Sequence, residues 1–200
     1  MRNNAESRKD DLRNRLIDAA EALIAEKGLS GLKARDVTTA AGCALGGLYT
    51  VFEDLDLLVL HVNARSLARL GAALRAAIPT GATAVGVLQA LAQAYVGFAK
   101  DNPRLWTAIF AHRLPEGRDI PDWHRQNHAV LIAEIIQPIA ALRPDLAPDA
   151  LRIRAQTMFA AVHGVVQLSM HGRYVGVPDH LLGSEVAALV TAMTRAFDPA

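Results

Sequence analysis

The side chains with the most obvious chemical capacity are histidines, a scatter of aromatics and one thiol. His124 and His128 are four apart, which on a helix sets both rings on one face and could supply two ligands of a zinc site. No His-Glu-x-x-His motif and no nearby cysteine adds to them, so no metal is expected, and surface, ion-pair or ligand-side roles are left for the pair. His163 stands in an apolar segment, where a histidine either satisfies a buried carbonyl or water, or offers a hydrogen bond to a bound molecule. Cys43 sits between Gly42 and Ala44, in a small-volume packing context. No serine is grouped with histidine and acid in a recognisable motif, and no glycine-rich loop follows a strand to cradle phosphate. Neither catalytic residues nor a cofactor are expected. What is left is binding. Tyr95, Phe98, Trp106, Phe110, Trp123, Met158, His163 and Gln167, with His124 and His128 beside them, mix apolar, aromatic and a few polar groups. Such a set suits a pocket for a flat or hydrophobic molecule, and each member serves equally well as core packing.

The elements that must position these groups read as helices throughout. In 200 residues the hydrophobic fraction is 52% and the charged fraction 20%, alanine and leucine dominate, and β-branched aromatic runs are missing. Asp11 to Lys27 repeats apolar residues at spacings of three and four (Leu12, Leu16, Ala19, Leu23), and Gly28 ends it. Residues 1–10 form a polar arm ahead of that helix. Short helices follow over Lys33–Ala41 and Leu45–Val51, with a boundary helix from Asp54, whose carboxylate can cap it, to Ile78. Segments from Thr83, Pro103, Asp122, Asp149 and His180 complete about nine helices, the last two spanning 149–174 and 180–197. The division falls into 11–53, with the boundary helix from about 54, and a larger domain over 54–198. The final two helices are apolar over most of their circumference, which calls for a partner subunit or for neighbours in the same chain.

Charge narrows the function classes. The net charge is +1, so a broadly basic nucleic-acid binder is excluded and any such contact must be local. Residues 1–60 carry eight basic against ten acidic side chains, a net of −2. One cysteine gives no intrachain disulfide framework, and the charged N-terminus has no signal-peptide core. No uncharged apolar run reaches membrane-spanning length. A cytoplasmic protein that does not enter the membrane is expected.

Two short helical segments meeting at Gly42, between longer helices, match a helix-turn-helix. The chain resembles TetR-type transcriptional regulators, strongly over residues 12–61, through Ile17 and Ala20, Glu26-Lys27-Gly28, Arg35-Asp36-Val37, Ala40-Ala41-Gly42, Gly46, Leu48-Tyr49 and Phe52. More loosely, Tyr95 to Phe110 and Val162-His163-Gly164 resemble the effector domain of a subgroup with a Trp-His-Gly-like motif, Val162 standing in place of the tryptophan. The resemblance implies an all-α homodimer on a palindromic double-stranded DNA operator. Its last two helices would make the subunit interface, and a small-molecule effector in the C-terminal domain would release the DNA. Tyr49 matches the position whose hydroxyl reaches a phosphate; Thr50 lies on the recognition helix, and Lys33, Arg35, Thr38 and Thr39 on the helix before it. Arg8 or Arg13 could reach DNA from the arm. Leu45, Gly46 and Gly47 open the recognition helix, where glycine lets backbone approach DNA closely.

The chain departs from that pattern at Leu32 and Ala44, which replace capping hydroxyls, and at Gly47. At Leu55, between Asp54 and Asp56, the family usually has a phosphate-facing lysine. Carboxylates at a helix N-terminus occupy the place of a bound phosphate. Two functions follow: a ligand-responsive repressor, or an all-α dimeric small-molecule binding or interaction protein with weakened or lost DNA binding.

Overall fold

The computed structural model describes residues 2–172 and 175–195, with side chains throughout except at residues 2–5 and 130. Among them are ten α-helices: α1 (Arg2–Lys27), α2 (Ala34–Ala40), α3 (Leu45–Val51), α4 (Leu55–Ala76), α5 (Ala84–Asp101), α6 (Pro103–Ala111), α7 (Asp122–His128), α8 (Val130–Leu142), α9 (Pro148–Met170) and α10 (Leu182–Arg195). No described residue is in a strand. The chain forms two compact units. The N-terminal unit is Met1–Leu67 with Asn102–His124; the C-terminal unit is Ala68–Asp101 with Arg125–Ala200.

In the N-terminal unit the periodic residues of α1 do what their spacing requires. Leu16, Ile17, Ala20 and Ile24 are buried against Val37, Leu48, Phe52, Leu58 and Val62, and Leu105 and Ala108 of α6 join the same core. Polar groups fix the periphery. The Asn63 amide donates to the Ala108 carbonyl at 3.1 Å, and Arg65 bridges Asp18 and Glu21. Arg104 donates to the Ala25 and Glu26 carbonyls, supplying a cation to the C-terminus of α1, where unpaired carbonyls accumulate.

The C-terminal unit buries Leu88, Leu91, Ala92, Tyr95 and Val96 of α5 with Met158, Val162 and Val166 of α9 and Leu182, Val186 and Val190 of α10. Two amides tie α5 to α10: Gln89 donates to Thr191 Oγ1 at 2.9 Å and Gln93 to the Gly183 carbonyl at 2.6 Å.

Three expectations need correction. The polar arm is helical from Arg2, because residues 2–10 contain neither glycine nor proline to stop α1. The helix expected over Asp122–Ile139 is two, α7 and α8. At Ala129 the backbone tightens, with Ala129 N–H donating to Gln126 and Ile132 N–H to Ala129, each three residues back. Finally, α9 ends at Met170 because Gly172 turns left-handed at φ +59° and donates to the Ser169 carbonyl. Tyr174 and Phe197, the ends expected for the last two helices, lie outside the described residues.

Candidate DNA-binding surface and effector cavity

The helix-turn-helix is built around Gly42. Its φ of +66° is one that a side chain disfavours, while an added Cβ would meet nothing nearer than Arg15 Nη1 at 3.7 Å. Conformation, then, rather than crowding at the helix crossing, requires glycine here. Around it Gly42 N–H donates to Thr39, Cys43 N–H to Thr38, and Arg15 Nη1 to the Ala41 carbonyl at 2.5 Å. The N-cap residues, Lys33 for α2 and Ala44 for α3, make no side-chain cap hydrogen bond, so packing of Val37, Leu48 and Phe52 holds these short helices.

That packing sorts the residues expected to meet DNA. Lys33, Arg35, Thr39, Leu45, Gly46, Tyr49 and Thr50 are exposed, Tyr49 at 53%. The Thr50 hydroxyl donates to the Gly46 carbonyl within α3 at 2.9 Å. Two residues fall elsewhere. Thr38 is only 3% exposed, its hydroxyl hydrogen-bonded to the Ala34 and Arg35 carbonyls, so it stands inside the unit. Gly47 faces Cys43, whose Sγ would be 3.3 Å from an added Cβ. Arg13 is also turned inward, donating to His61 Nε2 at 2.7 Å over the Phe52 ring. His61 stacks on Trp123 with ring centroids 4.5 Å apart. Burial, then the Arg13 charge, pushes the His61 pKa down to about 4, so the ring is neutral and accepts from Arg13.

The acids at the start of α4 have partners. Asp54 Oδ1 accepts from Leu57 N–H at 2.8 Å as an N-cap, and Arg118 pairs with Asp54 and, at 3.2 Å, with Glu53. Burial opposes ionisation of Asp54, but the Leu57 hydrogen bond and Arg118 outweigh it and hold the carboxyl below its usual range. His112 lies 3.5 Å from Asp56; burial nonetheless pushes its pKa down, against the attraction of Asp56 and Asp54.

In the C-terminal unit a cavity of about 40 Å³ lies between the end of α4, at Leu74, and α5, α8, α9 and α10. Tyr95 and Met158 line it, and the Tyr95 hydroxyl meets His163 Nδ1 at 2.7 Å. His163 also stacks on Phe159, another lining residue, and burial pushes its pKa down. Phe98, His128 and Gln167 belong to this unit without lining the cavity. Trp106, Phe110, Trp123 and His124 do not belong to it at all. They lie in the N-terminal unit, where Trp106 is fully buried 5.4 Å from the Phe110 ring, as core. Residue type alone does not separate the two uses. The sequence reading missed Glu134, the only acidic or basic residue in the apolar run Val130–Leu142 and a cavity-lining group. A lone carboxylate in such a run is the signal that could have found it. Among the described residues no cluster of three or more His, Cys, Asp or Glu could hold a metal, and no helix is long and apolar enough to cross a membrane.

A small N-terminal helix-turn-helix in a chain with a separate helical unit enclosing a cavity defines a class: DNA-binding regulators that respond to ligands. Residues 16–62 match the family model for bacterial regulatory proteins of the tetR family, and residues 88–197 the model for the tetracyclin repressor-like C-terminal domain. The chain belongs to the TetR family, whose members are non-enzymatic transcriptional regulators with a DNA-binding helix-turn-helix and a C-terminal ligand-binding domain. Solved structures agree in fold. A protein of unknown function from Rhodococcus sp. RHA1 is 25% identical, with 92% of this chain and 94% of that one covered and a TM-score of 0.72. RolR in complex with resorcinol is 15% identical, with 98% and 97% covered and a TM-score of 0.68. A TetR family transcription regulator from Marinobacter aquaeolei VT8 is 18% identical, with 96% and 97% covered and a TM-score of 0.62. No curated protein matches the chain.

Proposed function

We propose that this TetR-family regulator is a cytoplasmic homodimeric repressor that leaves a palindromic operator when a small hydrophobic or aromatic effector enters the cavity of its C-terminal unit. The observation that carries this reading is the outward face of α3. There Tyr49 and Thr50 stand exposed beside Leu45 and Gly46, on a helix whose other face is locked into the core by Leu48. Lys33, at the N-cap of α2, and Arg35 and Thr39 within it are exposed as well and would contact phosphates, while Tyr49 and Thr50 reach a phosphate or base edge. RolR is a structural neighbour solved with a small aromatic molecule, and its likeness in fold makes an effector of that size a reasonable first class to test. Dimerisation through α9 and α10 is supported by Ile153, at 57% exposed, and Leu168, at 43%, which leave apolar surface on α9.

The alternative, a dimeric small-molecule binding protein with weakened or lost DNA binding, draws on Leu55 at the start of α4 and on the net −2 of residues 1–60. A mobility-shift titration on the DNA flanking the protein's own gene, repeated across salt concentration, separates the two. The repressor reading expects a specific shift whose affinity falls with salt. No specific shift and no salt dependence would sink it.

A further inference from the structure

The wall of the cavity is apolar except at two points. Leu74, Leu88, Leu131, Ile135 and Val190 give it hydrocarbon, Tyr95 and Phe159 give it aromatic rings 5.7 Å apart in an edge-to-face pair, and Glu134 gives it a carboxylate. The Tyr95 hydroxyl is engaged with His163. Among the described residues Glu134 is thus the one charged group in the lining, with its side chain 26% exposed. Its ion-pair partner is weakly held. Arg75 approaches at 3.5 Å from the last turn of α4 and is itself 55% exposed, so water already competes for it. We propose that the cavity selects small aromatic cations, Glu134 receiving the ammonium head while the apolar wall takes the ring.

Three physical terms favour that class over neutral or acidic molecules of the same shape. A carboxylate beside apolar walls attracts an ammonium more strongly than it would in water. Tyr95 and Phe159 also line the cavity, and an aromatic ring attracts a cation that comes to lie over its face. An anion would meet Glu134 with no cation in the lining to offset it. The volume of about 40 Å³ holds only a few water-sized groups, so entry requires the wall to move. Met158, unbranched and adaptable, is the lining side chain best suited to do so.

This inference rests on reading the cavity as the effector site, so ligand binding and the ligand's effect on operator affinity are measured separately. Benzylamine, benzyl alcohol and benzoate share one ring and carry positive, zero and negative charge at neutral pH. Their binding to the intact protein is measured by titration calorimetry. The expected order is amine, then alcohol, then benzoate, with the amine favoured over the alcohol by about tenfold, as a charge-assisted contact allows. Glu134→Gln removes that preference. Arg75→Gln, at an exposed position that threatens folding less, frees the carboxylate and tightens benzylamine alone by several-fold. A flat or reversed charge order, an unchanged preference in both variants, or no binding of any of the three up to solubility overturns the proposal. Amine selectivity without an effect on operator affinity supports the ligand class and overturns the effector role instead.

Discussion

Gly46 and Gly47 are neighbours in α3 but meet different surroundings. An added Cβ at Gly46 touches nothing within 4 Å, whereas one at Gly47 lies 3.3 Å from Cys43 Sγ. Gly46→Ala therefore stabilises the fold by about 0.5–1 kcal/mol through helix propensity. Gly47→Ala gains less or nothing, and urea denaturation of the two variants compares them directly. The exposed Tyr49 hydroxyl is the proposed phosphate contact, so Tyr49→Phe should weaken operator binding by roughly 2- to 10-fold at unchanged stability. His61 makes a separate prediction about acid. Its pKa is depressed from 6.5 to about 4 in the folded chain, so the unfolded chain takes up the proton first as pH falls. Stability is full above pH 6.5 and declines by on the order of 2–3 kcal/mol toward pH 4. Burial depresses His112, His128 and His163 in the same direction, so the wild-type profile sums all four. His61→Gln keeps an acceptor for Arg13 and should flatten part of that decline, read as urea midpoints at pH 7 and pH 5.

At the level of elements, the N-terminus of α4 is set by opposing demands. Asp54 caps the helix, and Asp54→Ala should cost about 1 kcal/mol of stability. The same carboxylate repels any phosphate brought near, as does that of Glu53, and Arg118 pairs with both and offsets them. Arg118→Ala is then expected to lower operator affinity several-fold at low salt, and the loss should shrink as salt screens the uncovered acids. A mobility shift at two ionic strengths reads this. The cap is legible in the sequence, because an aspartate directly ahead of an apolar-periodic run is a local signal. Arg118 is not, since it lies in a loop 64 residues from Asp54 and only the folded chain brings them together. The same contrast holds elsewhere. The buried stripe of α1 is readable from the spacing of Leu16, Ala20 and Ile24, whereas Trp106 and Tyr95 offer identical sequence cues and are placed in different units. Periodicity states which face is buried; it does not state what is packed against that face. Nor could it expose Thr38 as interior, because its hydroxyl is satisfied by carbonyls of its own helix.

For the whole molecule the decisive quantity is the oligomeric state. Introducing charge at Ile153→Asp or Leu168→Arg puts an ion on the apolar surface of α9 without entering the core. Either variant should convert the proposed dimer to a monomer in size-exclusion chromatography with light scattering, and should abolish tight binding to a two-half-site operator. The distribution of tryptophan has a further consequence. The chain has two, Trp106 and Trp123, and both belong to the N-terminal unit, one fully buried and the other stacked on His61. Excited at the red edge of the absorption band, the protein emits from that unit alone, and the unit that encloses the cavity is dark. Fluorescence that changes when a non-absorbing ligand binds in the C-terminal unit thus reports, without any attached dye, that the event has been felt in the unit that carries the helix-turn-helix.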